Sequence, residues 1–94
     1  MSDALPAAIR LRVVTPRRLL AEADVEAVFL PTLEGRIGVY PGHRPLFVGL
    51  GRGTLTYREA GSEESFRIAG GYADVQPGRV VVLTEVGEDD GEAG

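Results

Sequence analysis

The sequence predicts an all-β fold, a sandwich or barrel built from short strands. Thirteen glycines and six prolines among 94 residues imply many turns, because both residue types oppose helix and suit tight turns. Apolar and polar residues alternate in several short runs, the pattern of strands with one wet face. No window of ten or more residues shows a convincing helical period. A chain of this length makes one domain with a modest core.

The first half of the chain contains three apolar runs behind a short flexible lead, residues 1–7. In the first run, apolar residues alternate with Arg10 and Arg12, which predicts a strand over 9–13. A second run resumes at 17–21. The third starts half exposed at Val25 and becomes apolar on both faces, and we expect Pro31 to end it.

The segment Glu34-Gly35-Arg36-Ile37-Gly38-Val39-Tyr40-Pro41-Gly42-His43-Arg44-Pro45-Leu46 follows. It holds three glycines, two prolines and the only histidine of the chain. The pattern predicts a strand over 36–40 closed by a turn. Pro41 suits the first central position of that turn, and Gly42 accepts the positive φ of the second.

The second half of the chain alternates short strands with turn signals. The pattern predicts strands at 46–50, 54–59, 65–69, 72–76 and 80–86. A bend is expected at 51–53, a hairpin loop at Gly61-Ser62, and a bulge or close backbone approach at Gly70-Gly71. The predicted core comprises the apolar side of each run: Ile9, Leu11, Val13, Val25, Phe29, Leu55, Phe66, Ile68, Val80 and Val82.

Composition excludes several classes of function. All ten basic residues are arginine and cysteine is absent, which rules out Schiff-base lysines, a P-loop lysine, thiol nucleophiles and zinc–cysteine sites. Residues 1–84 carry ten arginines against nine acids, a net charge of about +1, which is too little to favour nucleic acid. The remaining acids lie in a Gly-rich tail, residues 87–94 with Glu85, which we expect to be solvated. No apolar run is long enough for a membrane helix, and the start lacks the pattern of a signal peptide.

No constellation of residues predicts catalysis, a metal site or a cofactor site. The few serines lie outside any nucleophile motif, and Gly49 to Gly53 is followed by a strand instead of the helix that a phosphate loop needs. Two interpretations of His43 remain: a histidine whose hydrogen bonds are satisfied within the domain, or a residue at a protein interface. The arginines around Arg10 and Arg17 fit either a solvated face paired with acids or a docking patch for an acidic protein.

The landmarks of residues 8–86 resemble those of the epsilon subunit of F-type ATP synthases, called delta in mitochondria. The matching motifs are Val14-Thr15-Pro16 with Arg18-Leu19-Leu20, Glu34-Gly35, Gly38-Val39, Pro41-Gly42-His43, Pro45-Leu46, Gly53-Thr54-Leu55, Gly70-Gly71-Tyr72 and Val80-Val81-Val82-Leu83. The resemblance implies a flattened two-sheet β-sandwich of about ten short strands.

The resemblance also implies a role. Such a domain is a non-catalytic rotor subunit at the foot of the central stalk, coupling ion flow to ATP synthesis. It implies a gamma-subunit interface at Thr15, His43 and Val48, grouped on one exposed, mostly apolar face. It implies a c-ring interface at Glu34, Gly35 and Arg36, although many members carry an acid where Arg36 stands. It implies no cofactor or small-molecule substrate, and a peripheral place on the cytoplasmic side of a bacterial membrane, reached only through the complex.

Typical members continue into a C-terminal helical hairpin that can inhibit ATP hydrolysis. Residues 87–94 show no helical pattern, so inhibition and ATP sensing are not carried over. The alternative function is a stand-alone β-sandwich module that binds protein or carbohydrate.

Overall fold

The computed structural model describes residues 6–86, and these form strands and turns without a helix. The strands are β1 (Ile9–Val14), β2 (Leu19–Val25), β3 (Ala27–Thr32), β4 (Gly35–Val39), β5 (Leu46–Glu59), β6 (Ser62–Gln76) and β7 (Arg79–Val86). The all-β prediction is confirmed. The described residues form seven strands where about ten were expected, because β5 and β6 run unbroken through the predicted bend and bulge. The predicted tail and most of the predicted lead lie outside the described residues.

Hydrogen bonds join the seven strands into one sheet, in the order β2-β1-β7-β6-β5-β3-β4, where two separate sheets were expected. Every neighbouring pair is antiparallel except β1 and β7, which run parallel. The sheet folds over so that β2 comes near β5, and a single apolar core fills the space between its two halves. No helix of residues 6–86 is long and apolar enough to span a membrane.

The core follows the predicted alternation in every strand except β3. Eight of the ten predicted core residues are at most 1% exposed. Phe66 is half-buried and packs against the core. Phe29 was placed on the wrong face, since its neighbours Val28 and Leu30 are fully buried. Glu26 separates β2 from β3 and donates its N–H to the Arg58 carbonyl oxygen at 2.7 Å, and this extra residue inverts the alternation.

Pro31 lies within β3, contrary to expectation. It is the register partner of Arg36 on β4. On its other side, the pairing of β3 with β5 is irregular between Phe29 and Thr32, so the missing N–H of proline falls where the ladder is already interrupted. The Pro31 ring covers Gly53, where a Cβ would lie 2.9 Å from the Pro31 Cβ.

Glycines let the long β5–β6 hairpin turn from one half of the sandwich to the other. Leu50 and Leu55 are both buried although they are five residues apart, so the inward-facing positions change parity between them. On β6, Gly70 and Gly71 have φ values of 83° and 110°, and the register with β7 shifts between Ile68 and Gly71. The predicted bulge at Gly70-Gly71 is confirmed.

Candidate protein interface

The tip of the β3–β4 hairpin projects an exposed Leu33, Glu34 and Gly35. Thr32 fastens the tip: its Oγ1 accepts from the Glu34 N–H at 3.1 Å and donates to the Gly35 carbonyl oxygen. Gly35 has a φ of 120°, which favours glycine because it has no Cβ. The tip is therefore a fixed, solvent-facing protrusion.

Arg36 follows the tip, but contacts hold its side chain on the sheet surface. Its Nη1 donates to the Thr54 carbonyl oxygen at 3.2 Å. Its Cζ lies 5.4 Å from the centroid of the Phe29 ring, within cation–π range. Glu34 is thus the charged side chain presented at the tip itself, while Arg36 covers an aromatic ring.

Phe29 is the centre of a cluster on this outer face of the sandwich. The Arg58 Cζ lies 5.7 Å from the Phe29 centroid, and Arg58 pairs with Glu63 at 3.3 Å. Tyr40 meets the ring edge-on, with centroids 6.0 Å apart and planes at 87°. Two guanidinium groups therefore lie over the half-buried Phe29 ring, and we name this side the arginine face.

His43 closes the predicted Pro-Gly turn. Its N–H donates to the Tyr40 carbonyl oxygen at 3.1 Å, and Gly42 has a φ of 93°, as a type II turn requires. The half-buried His43 ring donates from Nδ1 to the Arg44 carbonyl oxygen, 2.6 Å away. The Gly42 N–H donates to the Pro77 carbonyl oxygen at 2.8 Å, which fixes the turn beside the start of β7.

Thr15 organises the turn between β1 and β2. Its Oγ1 accepts from the N–H groups of Arg17 and Arg18, each at 3.1 Å, and its own N–H donates to the Arg18 carbonyl oxygen at 2.8 Å. Thr15 lines a shallow open depression with Glu85 and Val86, at the end of β7. Its hydroxyl is used in building the turn.

We expected Thr15, His43 and Val48 on one exposed, mostly apolar face, but the structure does not group them there. Val48 is the register partner of the fully buried Ala73 and packs against the core, because the strand alternation points it inward. Thr15 and His43 lie beside opposite ends of β7, an eight-residue strand, and these ends are about 23 Å apart along the strand.

Sequence reasoning missed an exposed apolar surface on the other outer face of the sandwich. Phe47 and Tyr72 stack there, with centroids 5.5 Å apart and planes at 10°. They are 66% and 54% exposed, and Leu83 beside them is 50% exposed. A signal was present in the unbroken apolar run from Leu46 to Val48, which leaves no polar face for solvent.

The acids of β2 partly neutralise the basic residues of β1. Arg10 contacts Asp24 at 3.1 Å and Glu22 at 3.3 Å, and Arg12 contacts Glu22 at 3.5 Å. The hydrogen bond that Arg10 donates to the Asp24 carboxylate is the main cause that raises the pKa of Arg10 above its usual value. For Arg10 and Arg12, these contacts therefore support the interpretation of a solvated face paired with acids. Residues 6–86 contain no group of three or more potential metal ligands.

A family model described as "ATP synthase, Delta/Epsilon chain, beta-sandwich domain" matches residues 8–90. The chain belongs to the ATP synthase delta/epsilon family. It is 41% identical over 80 residues to the ATP synthase epsilon chain of Carboxydothermus hydrogenoformans, covering 85% of this chain and 60% of that one. It is 40% identical over 84 residues to the epsilon chain of Solibacter usitatus, covering 89% and 63% of the two chains. The chain thus spans about 60% of the length of these relatives.

Solved members of rotary complexes share the fold. A chain in the mitochondrial ATP synthase OSCP/F1/c-ring structure of Euglena gracilis matches with a TM-score of 0.81 and 31% identity, covering 89% of this chain and 55% of its own length. A chain in the central stalk and c-ring structure of the Tetrahymena thermophila enzyme matches with a TM-score of 0.70 at 16% identity, covering 87% and 66%. The second likeness bears on the fold alone.

Proposed function

We propose that this epsilon-type domain is a non-catalytic rotor subunit of an F-type ATP synthase. It joins the gamma subunit to the c-ring in the central stalk and couples ion flow to ATP synthesis. The observation that carries the proposal is the family match over residues 8–90, a range that includes all seven strands. It is supported by the 41% and 40% identities to bacterial epsilon chains.

The c-ring contact is proposed at Glu34 and Gly35 of the hairpin tip and at Arg36, which follows the tip. The tip is exposed and is fastened by Thr32, which suits contact with short loops of a ring. Glu34 is the charged group that reaches the partner first, and Arg36 supports the base of the tip through Phe29 and Thr54.

The gamma contact is proposed around Thr15 and His43, with Val48 supporting it from the core side. Thr15 and His43 are half-buried and lie in turns at the rim of the sheet. Val48 packs against the core and so holds β5 in place. The residue before it, Phe47, is exposed on the outer face.

The subunit is proposed to sit peripherally at the membrane, reached through its complex. In a bacterial cell this place is the cytoplasmic face of the inner membrane. The similarity of this chain to bacterial epsilon chains supports this setting.

A binding and reconstitution experiment tests the proposal. The chain is titrated against purified gamma subunit, and then added to an epsilon-depleted enzyme in proteoliposomes. We expect a saturable complex with gamma and recovery of ion-driven ATP synthesis. Absence of any gamma complex would reject the proposal, and capture of a soluble glycan or unrelated peptide instead would favour the stand-alone binding module.

A further inference from the structure

The turn between β1 and β2 presents two adjacent arginines. Both Arg17 and Arg18 donate their N–H groups to the Thr15 hydroxyl oxygen, which fixes the backbone from which they project. Their side chains are exposed, and within residues 6–86 neither forms an ion pair. The arginines of β1, by contrast, are paired with the acids of β2. Two neighbouring guanidinium groups therefore lack a counter-charge in this part of the chain.

The two arginines line the depression in which β7 ends. Its lining residues are Thr15, Pro16, Arg17, Arg18, Glu85 and Val86, and we name it the Thr15 depression. Val86 is the last residue of β7. Glu85 is the one acid in the lining, and it forms no ion pair with either arginine. The described residues therefore end beside both arginines.

The segment that follows Val86 in the sequence carries the opposite charge. Residues 88–92, which we name the acidic segment, contain four acids and no basic residue. Because a residue spans at most about 3.6 Å of extended chain, the Glu88 Cα can lie no farther than about 7 Å from the Val86 Cα. This reach is shorter than the Debye length of about 10 Å in 0.1 M salt. Covalent connection thus holds carboxylates near the two arginines at a high effective concentration.

The strand on the other side of β7 fits the acidic segment less well. Val86 is the register partner of Ile68, and residues 62–67 of β6 pair with β5 but with no residue of β7 up to Val86. If the chain continued along this edge in the same register, Asp90 would stand opposite Glu64. Like charges directly opposite each other are unfavourable in a sheet, and Gly and Asp rank low in strands. Charge therefore favours the Thr15 depression over the β6 edge.

We propose that the acidic segment docks in the Thr15 depression, where its carboxylates pair with Arg17 and Arg18. Guanidinium and carboxylate groups form parallel, charge-assisted hydrogen bonds, and the fixed turn holds the two guanidinium groups side by side. Exposed ion pairs are individually weak and are screened by salt. The docked segment therefore exchanges with an undocked one, and ionic strength shifts the balance between them.

Docking regulates access to Thr15, a consequence that rests on the function proposed above. Thr15 belongs to the proposed gamma contact, and an acidic segment seated in the depression covers the turn that Thr15 organises. The gamma subunit must displace the segment before it reaches that turn. The acidic segment is thus an intramolecular competitor that slows association in low salt and does so less in high salt.

A spin label on the full chain tests the docking directly, because the chain has no cysteine of its own. Ala93→Cys places the label next to the acidic segment without changing its charge. We expect the backbone amide signals of Thr15, Arg17 and Arg18 to lose intensity several-fold in low salt. They should recover in about 1 M salt, where the Debye length is about 3 Å.

Charge variants of the labelled chain separate docking from mere attachment near Val86. Arg17→Gln with Arg18→Gln should restore most of the lost amide intensity in low salt, which is then followed at Thr15. Arg44→Gln with Arg52→Gln is the matched control, since both arginines are exposed and neither forms an ion pair within residues 6–86. The control should broaden the Thr15 signal as the wild type does. Circular dichroism establishes that each variant folds.

Association with purified gamma subunit, followed by stopped flow, tests the competition. Asp89→Asn with Asp90→Asn should associate several-fold faster than the wild type in low salt. Glu59→Gln with Glu64→Gln is the matched control, because it changes the net charge equally at two exposed acids of the β5–β6 hairpin. Its rate should stay within about twofold of the wild type. Equal rates for the two double variants would reject the competition.

Two NMR outcomes overturn the docking. In the first, the Thr15 signal is broadened equally in low and high salt and in the Arg17→Gln with Arg18→Gln variant, so the label is only tethered nearby. In the second, broadening is concentrated on residues 62–66, so the segment lies along the β6 edge. A wild type that shows docking by NMR but forms no gamma complex would reject the proposed function and leave the docking standing.

Discussion

Gly71 lies so close to Leu83 that a Cβ on Gly71 would stand 1.9 Å from the Leu83 carbonyl oxygen. The contact lies at the bulge where β6 shifts its register against β7. The Thr84 hydroxyl donates to the Gly70 carbonyl oxygen at 2.5 Å in the same place. Gly71 also has a φ of 110°, so both space and backbone conformation require glycine there.

Replacing Gly71 by alanine should therefore destabilise the domain by about 3 kcal/mol or more, because strain and a backbone clash combine. Gly61→Ala is the matched control: Gly61 has a φ of 85°, but a Cβ there meets nothing within 4 Å. It should cost about 1 kcal/mol from strain alone. Urea unfolding followed by circular dichroism measures both, and equal costs would contradict the role of the Leu83 contact.

Leu30 and Phe29 test which face of β3 is the inner one. Leu30 is fully buried, and Leu30→Ala should cost about 2–5 kcal/mol through lost burial and a residual cavity. Phe29→Ala should cost less, because its half-buried ring packs mainly against Arg36 and Arg58 on the outer face. A larger loss for Phe29→Ala in the same unfolding assay would mean that this assignment of faces is wrong.

The hairpin tip offers a charge test of the c-ring contact. Glu34→Lys reverses the charge presented at the tip and should reduce ion-driven ATP synthesis in the reconstituted enzyme several-fold. Arg36→Gln should reduce synthesis less than Glu34→Lys, since the Arg36 side chain lies over Phe29 and supports the base of the tip. Thermal melting of each variant separates loss of contact from loss of fold. The opposite order of effects would show that Arg36 is the residue that meets the ring.

Tyr57 makes stability depend on pH in alkaline solution. Burial raises its pKa, and the carboxylates of Glu64 and Glu59 raise it further. Above about pH 10 the phenol ionises first in the unfolded chain, so the unfolded state binds fewer protons and stability falls with rising pH. Tyr57→Phe should flatten this fall, and Glu64→Gln should reduce it in part. Unfolding free energies between about pH 9 and 11 measure the slope; an unchanged slope in Tyr57→Phe would refute the assignment.

Patterns of neighbouring residues predicted much of the fold. The two-residue period placed Ile9, Leu11 and Val13 inside, and the Pro41-Gly42 dipeptide determined the turn that His43 closes. Gly70-Gly71 marked the bulge. Each signal depends on residues that are neighbours in the chain, so no knowledge of distant strands was needed.

Long-range pairing decided the remaining features. The position of Glu26 inverted β3 and turned Phe29 outward, and the pairing of Val48 with Ala73 turned Val48 toward the core. The exposed apolar surface of Phe47, Tyr72 and Leu83 combines residues from three strands. Patterns of neighbouring residues located most strand segments and the Pro-Gly turn, whereas pairing between strands set the length of β5 and β6 and the inner face of β3. Register depends on partners far apart in the chain, and a shift of one residue exchanges the inner and outer faces.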